Sequence, residues 1–277
     1  MTAAVLGFLL FWAAPPASGQ VAMLQVLPQS GPAIRIPQRQ VLRLGRRIWY
    51  NECRGTYAGL TSWNRGEEFA SLGIGHFIWY PENRSGPFQE SFPMLLAYLE
   101  SQGEVLPEWL KVSVGCPWPN REAFLADVNS ERMRDLRRLL TWSMPLQARF
   151  IVDRLAAALP KMLRNLPRSE RRRVRFQFYR MAGQAAGVYA LVDYVNFKGE
   201  GLKGQERYNG QAWGLLQVLQ GMTGKASGQA ALDEFAASAD RVLTRRVLNS
   251  PPERNEARWL PGWRQRLRTY RTPNTDS

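Results

Sequence analysis

Apolar residues recur at three- and four-residue intervals along most of the chain after residue 37. The first such segment carries Val41, Leu44 and Ile48, and Glu52 stands one further turn along the same stripe. This spacing places the four side chains on one face of a helix. Gly55 follows as a stop signal. The pattern therefore predicts an amphipathic helix whose C-terminal end carries Glu52.

Helical spacing returns between residues 90 and 158, between 169 and 195, and in two segments after residue 212. The intervening stretch SWNRGEEFASLGIGHFIWY is rich in aromatic and glycine residues and contains a turn signal, which is typical of a short β-hairpin. The later stretch NFKGEGLKGQERYNGQ predicts a glycine-rich loop. Together these patterns predict a mainly α (α+β) fold with a small β-hairpin lobe.

The first twenty residues contain no charged side chain. An apolar run leads to Pro15-Pro16 and then to small residues, which is the layout of a secretory signal peptide and too short for a lasting transmembrane helix. A wrongly assigned start codon is the alternative, since a basic residue near the start is missing. We expect a periplasmic or secreted protein without stable membrane insertion. The predicted divisions are a signal peptide at 1–19, a proline-containing linker at 20–37, one domain at 38–250 and a basic C-terminal tail or strap at 251–277.

The net charge and the cysteines restrict the possible partners and binding sites only in part. The 37 basic and 23 acidic residues give a net charge of +14, which attracts polyanions such as nucleic acid, anionic lipid or an acidic wall polymer. Cys53 and Cys116 suit one disulfide in an exported protein, and we predict that pair, although two small buried apolar residues are the alternative. A single histidine and the lack of Cys-x-x-Cys spacing argue against a zinc site. No cofactor is expected.

Two interpretations apply to Glu52. Its side chain could pair with one of the nearby arginines, Arg46, Arg47 or Arg54. Alternatively, partly apolar surroundings disfavour the charged carboxylate and raise its pKa. A carboxylic acid that is still protonated near neutral pH is what a glycosidase needs to protonate a leaving sugar oxygen.

The residues that follow Glu52 favour the second interpretation. Glu67 and Glu68 come next, and then the segment Gly73-Ile74-Gly75-His76. This succession resembles phage-type lysozymes and the wider lysozyme-like superfamily, in which a catalytic Glu ends the first helix and a β-hairpin follows with a second acidic residue and a Thr-x-Gly-x-Gly-His segment. The resemblance covers about residues 48–77. It implies that Glu52 is the catalytic acid and that Ser71 stands where a threonine is usual.

Other roles follow from the same resemblance. It implies that Ser71, His76 and the hairpin backbone shape the substrate-binding cleft, with glycines that let a strand pass close beneath the catalytic helix. No Asp stands where the phage enzymes have their second carboxylate. Glu67 or Glu68 replaces it, with Glu67 favoured. If neither reaches the cleft, the chain would resemble the lytic transglycosylases, in which a single Glu acts as acid and then base.

A fainter resemblance links YNGQAWGLLQVL to the Gly-Leu-Met-Gln run of lytic transglycosylases. In that interpretation Tyr208, Asn209 and Gln211 form a polar and aromatic lip that binds sugar hydroxyls and stacks on a pyranose face. The alternative is an ordinary helix start with Leu215 and Leu216 buried.

The resemblance therefore implies an exported enzyme that cleaves the glycan strands of peptidoglycan between N-acetylmuramic acid and N-acetylglucosamine, with no nucleic-acid partner. Lytic transglycosylation at the same bond is one alternative. A non-catalytic wall-binding protein on the same fold is another. A basic nucleic-acid binder is the third, supported by the arginine surplus and opposed by the apparent signal peptide.

Overall fold

The computed structural model describes Ile34 and residues 37–86, 88–202, 204 and 207–271. These residues form two compact units. Unit 1 comprises residues 37–151, and unit 2 comprises residues 152–271 together with Ile34. The predicted single domain at 38–250 differs from this division. The predicted signal peptide and nearly all of the predicted linker lie outside the described residues.

Unit 1 combines helices with a small antiparallel sheet. Its helices are α1 (Gln38–Cys53), α2 (Phe92–Ser101), α3 (Glu108–Lys111), α4 (Arg121–Ala126), α5 (Glu131–Trp142) and the first part of α6 (Met144–Leu163). Its strands are β1 (Thr61–Ser62), β2 (Ala70–Leu72) and β3 (Phe77–Trp79), with a 3₁₀ turn at Ala58–Leu60 before them. The predicted hairpin lobe is therefore confirmed, with one more short strand than a hairpin has.

The sheet lies inside unit 1 because its strands are apolar. Strand β2 is central, with Ser62 opposite Ser71 on one side and Ile78 opposite Ser71 on the other. Every residue of β2 and β3 is buried. The predicted stripe of α1 is also buried at Val41 and Ile48, which places the helix against the core and fixes the direction of its last turn.

Unit 2 is built around a helix that is apolar on almost every side. Its elements are the remainder of α6, α7 (Arg168–Ala182), α8 (Ala185–Lys198), β4 (Arg207–Tyr208), β5 (Gln211–Ala212), α9 (Leu215–Gln220), α10 (Gln229–Asn249) and α11 (Leu260–Arg268). Helix α8 is buried from residue 186 to residue 194, and α7, α9 and α10 pack against it. A helix with no polar face is expected at the centre of such a bundle.

The C-terminal segment belongs to the core of unit 2. Trp263, Leu267 and Tyr270 are buried, and α11 packs on α10. This differs from the predicted tail or strap, because the three apolar side chains recur at helical spacing among the arginines. The mainly α (α+β) fold class is confirmed. Within the described residues, no helix has the length and apolar character needed to cross a membrane.

Candidate active site

Glu52 lies on the last turn of α1, as the sequence predicts. The helix ends because Arg54 and Gly55 both adopt left-handed backbone conformations, with φ values of 55° and 63°. Their N–H groups both donate to the carbonyl of Trp49, which is a common way to satisfy carbonyls at a helix C-terminus. The Glu52 side chain is 25% exposed, so it is partly accessible to solvent.

The segment Gly73–His76 forms the turn between β2 and β3. The His76 N–H donates to the Gly73 carbonyl at 3.2 Å, and Gly73 and His76 have φ values of 69° and 47°. The expectation that these glycines lie within a strand is therefore wrong. A Cβ at Gly73 would overlap the amide oxygen of Gln147, so both the backbone conformation and the close approach require glycine there.

Two buried side chains hold this turn beside the end of α1. The Cys53 thiol donates to the Gly73 carbonyl at 3.5 Å. Gln147 Oε1 accepts from the Ile74 N–H at 2.9 Å, while Gln147 Nε2 donates to the Leu140 carbonyl and to Ser143 Oγ at 2.6 and 3.0 Å. Sequence reasoning missed Gln147. A polar residue within the apolar stripe of α6 was the only signal that could have found it.

His76 is the neighbour of Glu52 across this turn. Its Nδ1 lies 3.7 Å from Glu52 Oε2, which is longer than a hydrogen bond. Burial lowers the pKa of His76 to about 4, because desolvation disfavours the imidazolium. At neutral pH the imidazole is therefore uncharged. Glu52 thus lies beside a neutral polar ring, and this histidine is not a cationic partner that would favour the ionised carboxylate.

Glu67 and Glu68 lie in the loop before β2 and point in different directions. Glu67 is half-buried, and its Oε1 accepts from Asn64 Nδ2 at 3.0 Å. Burial raises the pKa of Glu67, and the hydrogen bond from Asn64 opposes that shift. Glu68 is 75% exposed and pairs with Arg84 at 3.2 Å. Of the two, Glu67 is the inward-facing carboxylate.

Ser71 is buried in the central strand of the sheet. Its carbonyl accepts from Ser62 Oγ at 3.3 Å, and only 4% of the residue is exposed. A residue in this position can shape a cleft only through the sheet that it supports.

Cys53 and Cys116 are both buried free thiols, so the predicted disulfide is wrong. Cys53 packs beneath the end of α1, whereas Cys116 lies beyond β3, where its N–H donates to the Tyr80 carbonyl at 2.8 Å. Each thiol packs against a different part of unit 1. Burial raises the pKa of each to about 12, which keeps them protonated and unreactive.

A groove of about 950 Å³ runs along α1 in unit 1. Gly45 lines it, whereas Glu52 does not; Glu52 lies seven residues later on nearly the same helix face, about 10 Å further along the axis. Tyr57 and Trp142 line the groove and are 44% and 79% exposed. Further lining residues are Leu42, Arg46, Val105 and Arg138. Exposed aromatic rings and a few charged groups suit a ligand with both flat apolar faces and hydroxyl groups.

The residues predicted to form a sugar-binding lip lie in unit 2. Asn209 and Gly210 have positive φ values of 50° and 73° and form the two-residue turn between β4 and β5. Tyr208 donates its hydroxyl to Glu256 Oε1 at 2.7 Å, and Gln211 is exposed on β5. The Asn-Gly pair was a hairpin signal that the sequence analysis missed. Helix α9 then starts with Leu215 buried.

Glu200 is a further carboxylate, two residues beyond the end of α8. Its carbonyl accepts from the Leu216 N–H at 3.1 Å, and the Gly199 carbonyl accepts from the Leu215 N–H at 2.9 Å. Burial lowers the pKa of Arg154 to about 10, and the charge of Glu200 opposes that shift. The backbone around Glu200 is therefore fastened to the start of α9, and its side chain lies near a buried guanidinium.

Among the described residues, no group of three or more His, Cys, Asp or Glu side chains could hold a metal ion. Comparisons with protein-family models, curated proteins and solved structures give no match. Any functional conclusion therefore depends on the geometry of the candidate site.

Proposed function

We propose that the protein is an exported enzyme that cleaves the glycan strands of peptidoglycan between N-acetylmuramic acid and N-acetylglucosamine, with Glu52 as the general acid. The observation that carries the proposal is the placement of Glu52. Its carboxylate is 25% exposed at the end of α1, beside a glycine turn that buried groups hold in place.

In this reaction the Glu52 carboxylic acid donates its proton to the glycosidic oxygen. General acid catalysis of this kind contributes about 10²- to 10⁴-fold to the rate. A neutral His76 suits the role, because an imidazolium 3.7 Å away would favour the ionised carboxylate. The groove along α1 supplies the aromatic faces of Tyr57 and Trp142 for stacking on sugar rings.

A second candidate is lytic transglycosylation, in which one Glu acts as acid and then base and the product ring closes internally. The environment of Glu67 favours this candidate. Burial raises the pKa of Glu67, so the group is less suited to supply a negative charge beside an oxocarbenium-like centre. In this version Glu52 performs both proton transfers.

The test is the activity of Glu52→Gln on purified peptidoglycan, with release of soluble fragments as the readout. We expect a loss of at least about 100-fold. The thermal midpoint should stay unchanged or rise slightly, because the amide avoids the cost of holding a charge at a partly buried site. Glu68→Gln is the matched control, since Glu68 is 75% exposed, and it should keep the activity.

Two further measurements sharpen the result. Mass spectrometry of the fragments distinguishes reducing muramic ends, which mean hydrolysis, from anhydro ends, which mean lytic transglycosylation. Glu200→Gln tests the carboxylate of unit 2. Full activity in Glu52→Gln combined with a loss in Glu200→Gln would move the catalytic role to unit 2 and refute the assignment of Glu52.

A further inference from the structure

A strongly basic surface of unit 2 covers the end of α6 and the first half of α7. Seven cationic side chains and one acidic side chain stand between residues 161 and 175. The cations are at positions 161, 164, 168, 171, 172, 173 and 175, and all seven are exposed. This segment therefore holds a large share of the positive charge of the protein on one short stretch of surface.

Three of these cations form a line along α7. Arg168, Arg172 and Arg175 follow one another at spacings of four and three residues, which places them on one face of the helix. Gln177 and Met181 are buried on the opposite face, so α7 packs on the core of unit 2 through that side. We call Arg168, Arg172 and Arg175 the arginine stripe; it faces solvent.

The arginine stripe has no counter-charge within the described part of the chain. The acid of the segment, Glu170, pairs with Arg173 at 3.5 Å and accepts a hydrogen bond from Gln220 at 2.8 Å. Arg173 does not belong to the stripe. No carboxylate of the described residues lies at ion-pair distance from the three stripe guanidinium groups.

The stripe does not help the helix to fold. Like charges three and four residues apart on a helix repel each other. Arg168 is also the first residue of α7, where the positive end of the helix dipole disfavours a cation. A bound anionic surface would relieve both effects. The stripe is therefore better explained by an anionic partner than by the stability of α7.

An exposed aromatic side chain distinguishes between possible anionic partners. Phe176 lies one turn after Arg172 on α7 and is 48% exposed. A hydrophilic phosphate polymer gives such a side chain nothing to pack against, whereas the interface of a lipid bilayer buries it. Clusters of four to eight basic residues on an amphipathic helix are typical of proteins that bind anionic lipids.

We propose that the arginine stripe of α7 docks unit 2 on a bilayer that contains anionic phospholipids. The guanidinium groups bind lipid phosphates, for which their planar arrangement of donors is suited, and Phe176 enters the interface. Binding of this kind is peripheral, because α7 stays packed on unit 2 through its buried face.

Cosedimentation of the full-length protein with lipid vesicles tests the proposal. One set of vesicles consists of phosphatidylcholine, and the other contains about 30% phosphatidylglycerol, enough to give a negative surface potential. We expect binding only to the second set, and we expect it to weaken as the salt concentration rises, because salt screens exposed charges.

The variant with Arg168→Gln, Arg172→Gln and Arg175→Gln should bind the anionic vesicles about 100-fold more weakly, since each arginine near such a surface contributes several-fold. Its thermal midpoint should not fall, because repulsion is removed. The matched control is the variant with Arg39→Gln, Arg43→Gln and Arg65→Gln. It loses the same charge from exposed residues of unit 1, and its binding should change by less than about threefold.

Phe176→Ala tests the aromatic contribution. We expect about fivefold weaker binding to the anionic vesicles, which corresponds to burial of the exposed half of the ring. The loss should persist at high salt, because it does not depend on charge.

Three results would overturn the proposal. The first is equal binding to both sets of vesicles. The second is an equal loss in the stripe variant and its control, which would show that only the total charge matters. The third is retention of single-stranded DNA or polyphosphate through the stripe without any binding to vesicles, which would assign the stripe to a soluble polyanion. All these measurements are independent of the glycan-cleaving activity proposed for unit 1.

Discussion

Units 1 and 2 each contain a glutamate at the end of a helix with antiparallel strands after it, and they hold the following turn differently. In unit 1, Glu52 lies on the last turn of α1, and side chains fasten the adjacent turn, namely the thiol of Cys53 and the amide of Gln147. In unit 2, Glu200 follows α8, and two backbone hydrogen bonds fasten its loop to the start of α9, with one further hydrogen bond from the amide of Gln217 to the Gly201 carbonyl.

The surroundings of charged groups in the two units also differ. One neighbour of Glu52 is a histidine that is uncharged at neutral pH. Unit 2 contains paired buried charges, as in the contacts of Arg246 with Glu256 and of Arg266 with Asp193. Buried pairs satisfy both partners and fix local geometry. A partly exposed carboxylate beside a neutral ring is better placed to exchange a proton with a ligand.

The largest expected loss of stability comes from a substitution in unit 2, at a glycine whose backbone lies in close contact with another backbone segment. A Cβ at Gly214 would overlap the backbone of Gly201, and backbone atoms cannot move aside as a flexible side chain can. Gly214→Ala should therefore lower the free energy of unfolding by about 3 kcal/mol, at the upper end of overpacking effects. Urea denaturation measures the change. Gly262→Ala is the control, since a Cβ there meets no atom within 4 Å; equal losses in both variants would contradict the close-contact argument.

The corresponding change in unit 1 should cost somewhat less. Gly73→Ala places a methyl group against the Gln147 amide, which is a side chain, at a φ of 69°. We expect a loss of about 2 kcal/mol, of which about 1 kcal/mol is backbone strain. Gly66→Ala separates the two contributions, because Gly66 has a φ of 86° and no atom within 4 Å of its Cβ position. If Gly66→Ala costs as much, strain alone explains the effect and the contact with Gln147 is unimportant.

Protonation of His76 should destabilise unit 1 by up to about 2 kcal/mol between pH 7 and pH 4.5. The folded-state pKa of about 4 lies below the ordinary value of 6.5. The unfolded chain therefore binds the proton first, and the stabilisation present above pH 6.5 is lost as the pH falls toward 4. His76→Asn keeps a residue that tolerates positive φ and removes the titration. Urea midpoints at both pH values should differ less in the variant; an unchanged difference would mean that other groups control it.

The last prediction concerns the chemical reactivity of the two thiols, which reports whether they are shielded from solvent in folded unit 1. Iodoacetamide at pH 8 should leave Cys53 and Cys116 unlabelled in the folded protein, because both are buried and burial raises the pKa of each to about 12. Both should be labelled after unfolding without any reductant. If the unfolded protein were labelled only after reduction, Cys53 and Cys116 would form the disulfide that the sequence analysis predicted.

Local patterns were sufficient to predict several parts of the molecule. The stripe Val41, Leu44 and Ile48 predicted α1 and placed Glu52 at its end, because helical periodicity and a nearby stop signal are both local properties. The aromatic and glycine-rich stretch predicted the β-lobe for the same reason. Burial of one of the two neighbouring carboxylates was also anticipated, and Glu67 is the half-buried one.

Contacts between residues far apart in the chain could not be predicted in this way. Gln147 binds a turn 73 residues earlier, and Arg266 pairs with Asp193 across the same interval of 73 residues. No local pattern marks such partners, because any arginine can pair with any carboxylate. The predicted disulfide was wrong for a related reason. An even number of cysteines suggests a disulfide regardless of where the cysteines lie in the fold. Only tertiary packing decides whether their sulfur atoms come close enough to bond.

The sequence by itself therefore determined the mainly α (α+β) class, the helix that carries Glu52 at its end and the small β-lobe that follows it, since each depends on backbone preference and short-range periodicity. Tertiary structure alone decided that His76 is neutral beside Glu52, that α11 belongs to the core of unit 2, and that the Lys198 amine lies against aromatic rings. These properties depend on which groups exclude water from one another, and burial is a consequence of packing between distant segments.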